Sequence, residues 1–196
     1  AAKAAAPPKP LDASFVLDTA INNNVAEIRK GLVALTPTDR AKNHVQISGK
    51  TDFSNAEGTS GNINVFSDGL DLTAFYKAFR GGTTPSQAEA ETQPAPEQEP
   101  EPVILPLTNF VVEVAIKRFF LDEVDIADLV MNTRIDGGRV GVNPLRLTLN
   151  GAPVSSSVAL DMSIPGYRYD ILFGMTNVPF APLVNTFTPE RKGQLG

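Results

Sequence analysis

Long runs of side chains alternate between apolar and polar, and short turns separate them. In one run Phe110, Val112, Val114 and Ile116 face one way, and Glu113, Ala115 and Lys117 face the other. In the next, Leu129, Met131, Thr133 and Ile135 alternate with Asp128, Asn132, Arg134 and Asp136. A period of two is that of a half-buried strand. The turns are as specific: Asp136-Gly137-Gly138 and Asn150-Gly151 supply the positive φ angles that tight hairpins require. Pro165-Gly166 then divides strands predicted at Val154 to Ile164 and Tyr167 to Met175. Strands joined this closely must be antiparallel, because parallel neighbours need long crossovers.

The first half carries the same rhythm. Phe15, Leu17, Thr19 and Ile21 alternate with Ser14, Val16, Asp18 and Ala20 before the turn Asn22-Asn23-Asn24. Val45, Ile47, Gly49, Thr51 and Phe53 form a second series, and Ile63 and Val65 a third. Residues 25–35 fit a helix through Val25, Ile28, Leu32 and Leu35, and also alternate between Ile28 and Ala34; the flanking β-type sequence favours a strand. Each half closes on a helical pattern. Leu72, Phe75, Tyr76 and Phe79 follow i, i+3, i+4, i+7 spacing, and Phe180, Leu183, Val184 and Phe187 repeat it 108 residues later. The expected fold is therefore all-β with short amphipathic helices, an elongated antiparallel meander of two similar units.

Composition places the boundaries. Residues 1–10 are an Ala/Pro/Lys linker, and residues 81–106 form an acidic, Pro-rich linker expected to act as a solvated spacer. That leaves strand-rich units at 11–80 and 107–196, each ending in a short helix. The net charge of −5 resides in the second linker, where Glu89, Glu91, Glu97, Glu99 and Glu101 lie. Both units are close to neutral and lack the basic stripe that a nucleic acid would demand. The chain opens at Ala1 and ends at Gln194-Leu195-Gly196, which reads as an ordered piece of a longer polypeptide.

Catalytic chemistry has little to build on. There is no Cys or Trp, and His44 is the only histidine, so a nucleophile–base triad and a usual zinc site both lack members. Asp122, Glu123, Asp125 and Asp128 lack calcium-loop spacing and read as a solvated turn and strand face. Gly58-Thr59-Ser60-Gly61 precedes strand sequence where a phosphate cradle needs a helix. The expectation is a protein that is not an enzyme and uses no cofactor or metal.

Residues 126–187 resemble the C-terminal portion of AsmA-like proteins. The strand ending in Asp136-Gly137-Gly138 carries the likeness. So do the strand with Asn143-Pro144-Leu145, the Leu149-Asn150-Gly151 turn into a Ser-rich strand, and the last strand leading into a helix at Pro179 to Phe187. Residues 44–79 look like the strand-and-helix stretch found upstream in that family.

AsmA-like proteins resemble bridge-like lipid transfer proteins, so the resemblance implies a curved half-pipe, a β-groove whose concave face is apolar. It implies lipid transport between membranes of a bacterial cell envelope, periplasmic and membrane-anchored through a segment outside this chain, in support of outer membrane biogenesis and lipid homeostasis. Expected partners are phospholipid or another lipid, and other envelope proteins or copies of the chain itself; nucleic acid is not expected. The lining residues would be Phe110, Val112, Val114, Ile116, Leu129, Met131, Ile135, Val158, Leu160, Met162, Tyr169, Ile171 and Phe173. The alternation alone leaves a second reading open: the same residues could fill closed β cores in a structural or adhesion stalk module of the envelope.

Overall fold

The computed structural model describes residues 10–81 and 99–188. The alternating runs are strands: β1 (Ala13–Asn22), β2 (Val25–Leu35), β3 (His44–Asp52), β4 (Thr59–Ser67) and the short β5 (Leu70–Asp71). Helix α1 (Thr73–Gly81) follows, then β6 (Leu107–Leu121), β7 (Val124–Asp136), β8 (Arg139–Leu149), β9 (Ala152–Asp161), β10 (Arg168–Met175) and α2 (Ala181–Phe187). Residues 25–35, which fit either pattern, are extended. The hairpin turns have the geometry their residues favour. Asn23 and Asn24 have φ of 47° and 65°, and Asn150 and Gly151 have 48° and 85°.

All strands belong to one open sheet in the order β1-β2-β3-β4-β6-β7-β8-β9-β10, with β5 beside β6. Neighbours are antiparallel except at β4–β6 and β5–β6, where the strands are parallel. The two strand-rich units are thus joined edge to edge in one sheet. Parallel pairing requires a long crossover, and the chain between β4 and β6 is long enough to supply one. Part of the expected spacer is also incorporated. Val103 N–H donates to Met162 O (2.8 Å), Leu105 N–H to Gly137 O (3.3 Å), and Pro106 O accepts from Thr59 N–H (2.9 Å). Main-chain groups at the strand ends are satisfied this way, so residues 99–106 form a strap rather than a free linker. The rest of that spacer, residues 82–98, lies outside the described residues, as does most of the N-terminal linker.

Strand direction sorts the molecule into two ends. Both helices, the 36–43 loop and the β6–β7 and β8–β9 turns lie at one, called here the helix end. The strap and the turns at 23–24, 137–138 and 162–167 lie at the far end. Every buried apolar side chain among those described belongs to the helix end: Ala41, Leu70, Val124, Ala152, Val154 and Val178. The largest cluster joins Ala152, Val154 and Val178 to Leu147, Leu149 and Leu183 of α2. The strands do not close round a core of their own.

A polar knot fastens the helix end. Asn43 is wholly buried, and its amide donates to Thr36 O (2.7 Å) and Asp71 O (3.2 Å) while accepting from Asp71 N–H. The Asp71 carboxylate receives Arg40 Nε (2.9 Å) and Nη2 (2.8 Å), Thr38 Oγ1 (3.0 Å) and the Thr73 N–H (3.1 Å) that opens α1. Arg40 Nη1 reaches on to Asp122 O (3.1 Å), so loop, helix and β6–β7 turn share one network. Burial pushes the Asp71 carboxyl up, but Arg40 and the hydroxyl and N–H donors outweigh it and hold it below the usual carboxylate range.

Candidate functional site

The geometry of interest is a face rather than a pocket. Residues paired directly across neighbouring strands point to the same side of a sheet. Starting from β6, Phe110, Val112, Val114 and Ile116 pair with Ile135, Thr133, Met131 and Leu129 of β7. On the other flank Ile63 and Val65 of β4 pair with Val112 and Val114, and Ile47 of β3 pairs with Val65. Gly31 and Val33 of β2 continue the series opposite Ile47 and Val45, and Leu17 and Phe15 of β1 end it. Beyond β7, Leu145, Val142 and Val140 of β8 lead to Ser156, Val158 and Leu160 of β9. Phe173, Ile171 and Tyr169 of β10 complete the row.

Twelve of the thirteen residues expected to line a groove therefore share one face. Met162 stands apart, just beyond β9, where its main chain bonds to Gly138 and Val103 at the strap. Along these aligned positions no Asp, Glu, Lys, Arg or His occurs. The opposite face carries Lys50–Glu27 at 3.2 Å and Asn132 Nδ2 donating to Glu113 Oε1 at 3.0 Å, while beyond Ile116 the Arg118–Asp125 pair (2.6 Å) ends the uncharged series at the helix end.

The uncharged face is only partly covered. Its residues in the inner strands are half-buried, and exposure rises towards the edges, to 61% at Phe15, 79% at Ile21, 71% at Tyr169 and 62% at Phe173. One sheet layer is the reason: alternation predicts which side a residue takes, but not whether a second layer meets it. Leu183 of α2 packs over the face at the helix end. The helix stripes are unequally used. Leu72, Phe75, Tyr76, Leu183 and Val184 are half-buried, whereas Phe79 (78%), Phe180 (54%) and Phe187 (49%) remain exposed. The stripes are too wide for helices of nine and seven residues at the margin of a single layer.

Two glycines shape the surface. A Cβ at Gly49 would fall 2.1 Å from Asn62 O, and one at Gly61 would fall 2.1 Å from Lys50 O. These neighbouring strands approach where any side chain would collide. The register shifts at Asp18/Thr19, Ile28/Gly31 and Val142/Leu145 interrupt the regular ladder, and such breaks bend and twist a strand locally. Sequence reasoning missed both devices, although the glycines were visible within alternating runs.

Elsewhere, His44 is exposed at the start of β3, and Ser67 Oγ donates to its main-chain oxygen (2.7 Å). Asp122 and Glu123 form the β6–β7 turn, and Asp128 has a positive φ of 52°. Among the described residues no group of three or more His, Cys, Asp or Glu is placed to hold a metal ion, and no helix is long and apolar enough to cross a membrane. A hollow of about 830 Å³ lies between Leu11, residues 36–39 and the Ala74/Lys77/Ala78 side of α1 at the helix end. Comparison with protein-family models, curated proteins and solved structures finds no match to this chain.

Proposed function

We propose that this chain is a non-enzymatic segment of an AsmA-like protein of the bacterial envelope, which binds lipid along its uncharged sheet face and serves outer-membrane lipid homeostasis. The observation that carries the reading is a single-layer sheet whose aligned positions from Phe15 to Tyr169 carry no charged residue, with no second layer over them among the described residues. An acyl chain suits such a surface. Each buried methylene contributes ~0.8 kcal/mol, so half-shielding a sixteen-carbon tail gains roughly 6 kcal/mol without any specific pocket. The helices and the strap occupy the strand ends, while among the described residues no strand pairs with the outer edges of β1 and β10. Tails accordingly lie across the strands, entering and leaving over the edges.

Gentle purification from an envelope fraction followed by native mass spectrometry and lipid extraction tests this. Stoichiometric phospholipid, lost in Met131→Glu or Phe173→Glu, is the expected result. A folded protein free of lipid would overturn the reading.

A further inference from the structure

The two edges of the sheet are complementary to each other. β1 runs from the helix end to the far end and β10 runs back, so a second copy translated sideways sets its β1 antiparallel to the first copy's β10. The uncharged faces then coincide, because Phe15 and Leu17 share their side with Tyr169 and Ile171. All eight residues of β10 are exposed, as are seven of the first eight of β1.

We propose that β10 of one copy pairs with β1 of another, with Arg168 opposite Asp18. That register brings Tyr169 opposite Leu17 and Ile171 opposite Phe15 on the uncharged face, and Leu172 opposite Ser14 on the other. It uses only the part of β1 before the register shift at Asp18/Thr19, where the strand is regular. Arg168 and Asp18 are both exposed and opposite in charge, and each stands at the polar side of its edge. Opposite charges facing across strands support pairing, and like charges there oppose it. A second copy is the occupant the edges specify, since one chain carries both halves of the match; an unrelated strand needs only one. The contact joins unlike edges and does not close on itself, so it extends into open chains of molecules with one uninterrupted uncharged face. It holds whether or not that face takes lipid.

The absence of cysteine makes the test clean. Ser14→Cys and Leu172→Cys are made as separate chains, mixed, and joined by oxidation or a short bismaleimide. The expected product is the mixed dimer, with little from either variant alone and little from Leu172→Cys mixed with Asn64→Cys on the sheet interior. Sedimentation of the unmodified chain should show mass rising with concentration. Asp18→Lys and Arg168→Asp should each abolish that rise alone, and their mixture should restore it. A monomer at every concentration without the mixed product, or a product only between like edges, would overturn the proposal. Lipid content measured in the same samples keeps this outcome separate from that of lipid binding.

Discussion

The Tyr76 ring meets Phe187 edge to face, with centroids 6.3 Å apart and planes 78° apart. These residues belong to the two similar helical motifs, which therefore meet side by side. Beneath them Glu123 N–H donates to Thr186 Oγ1 (3.2 Å), so α2 is tied to the β6–β7 turn as well.

The ring pair should be measurable as a coupling. Tyr76→Ala and Phe187→Ala are each expected to destabilise, with a double-mutant coupling of about 1 kcal/mol in urea unfolding. Strict additivity would mean that the helices are held by the sheet alone.

Gly49→Ala and Gly61→Ala should each cost more than about 3 kcal/mol, since the new methyl meets a main-chain oxygen that only strand separation can move. Gly141→Ala is the control. Its added methyl meets nothing within 4 Å, and the expected change in thermal unfolding is small, about 0.5 kcal/mol in either direction.

Asp71→Asn tests the knot at the helix end. The carboxyl's folded pKa lies below its unfolded value, so its contribution is present above the usual carboxylate range and fades as pH falls through the folded value. At pH 7 the variant should be less stable by about 2–3 kcal/mol. Melting curves taken from pH 7 down towards pH 2 should converge. A gap independent of pH would assign the loss to packing.

Charge on the two faces should separate binding from folding. Met131→Glu is expected to reduce native-state binding of an apolar fluorophore at least severalfold, while Asn62→Glu, opposite Lys50 on the charged face, leaves it unchanged. Equal loss in both would detach the fluorophore from the uncharged side.

Much of this arrangement is legible in the sequence because alternation and turn chemistry are local. Phe110 to Ile116 declare their side without reference to any neighbour, and Asn150-Gly151 fixes a hairpin by itself. The β4–β6 junction is not legible: Val65 and Val114 come together across a low-complexity segment that says nothing of where the chain returns. Whether Met131 meets a second layer is equally hidden, since a closed core and a bare face use the same pattern. The knot was missed for a related reason. Arg40, Asn43 and Asp71 look like ordinary loop polars until folding brings Asn43 and Asp71, 28 positions apart in sequence, within hydrogen-bond reach.

The parallel junction also orders events in time. Partners across it, such as Thr59 with Leu107 or Val65 with Val114, are 48 and 49 residues apart, whereas hairpin partners such as Leu121 and Val124 are neighbours. Closing a long loop loses more chain entropy before any contact repays it, so such pairings form late. Two half-sheets are accordingly expected to arise first, each briefly baring an extra edge at β4 or β6. Nascent chains are most vulnerable to mispairing at that stage, when β4 of one molecule can meet β6 of another before its own arrives.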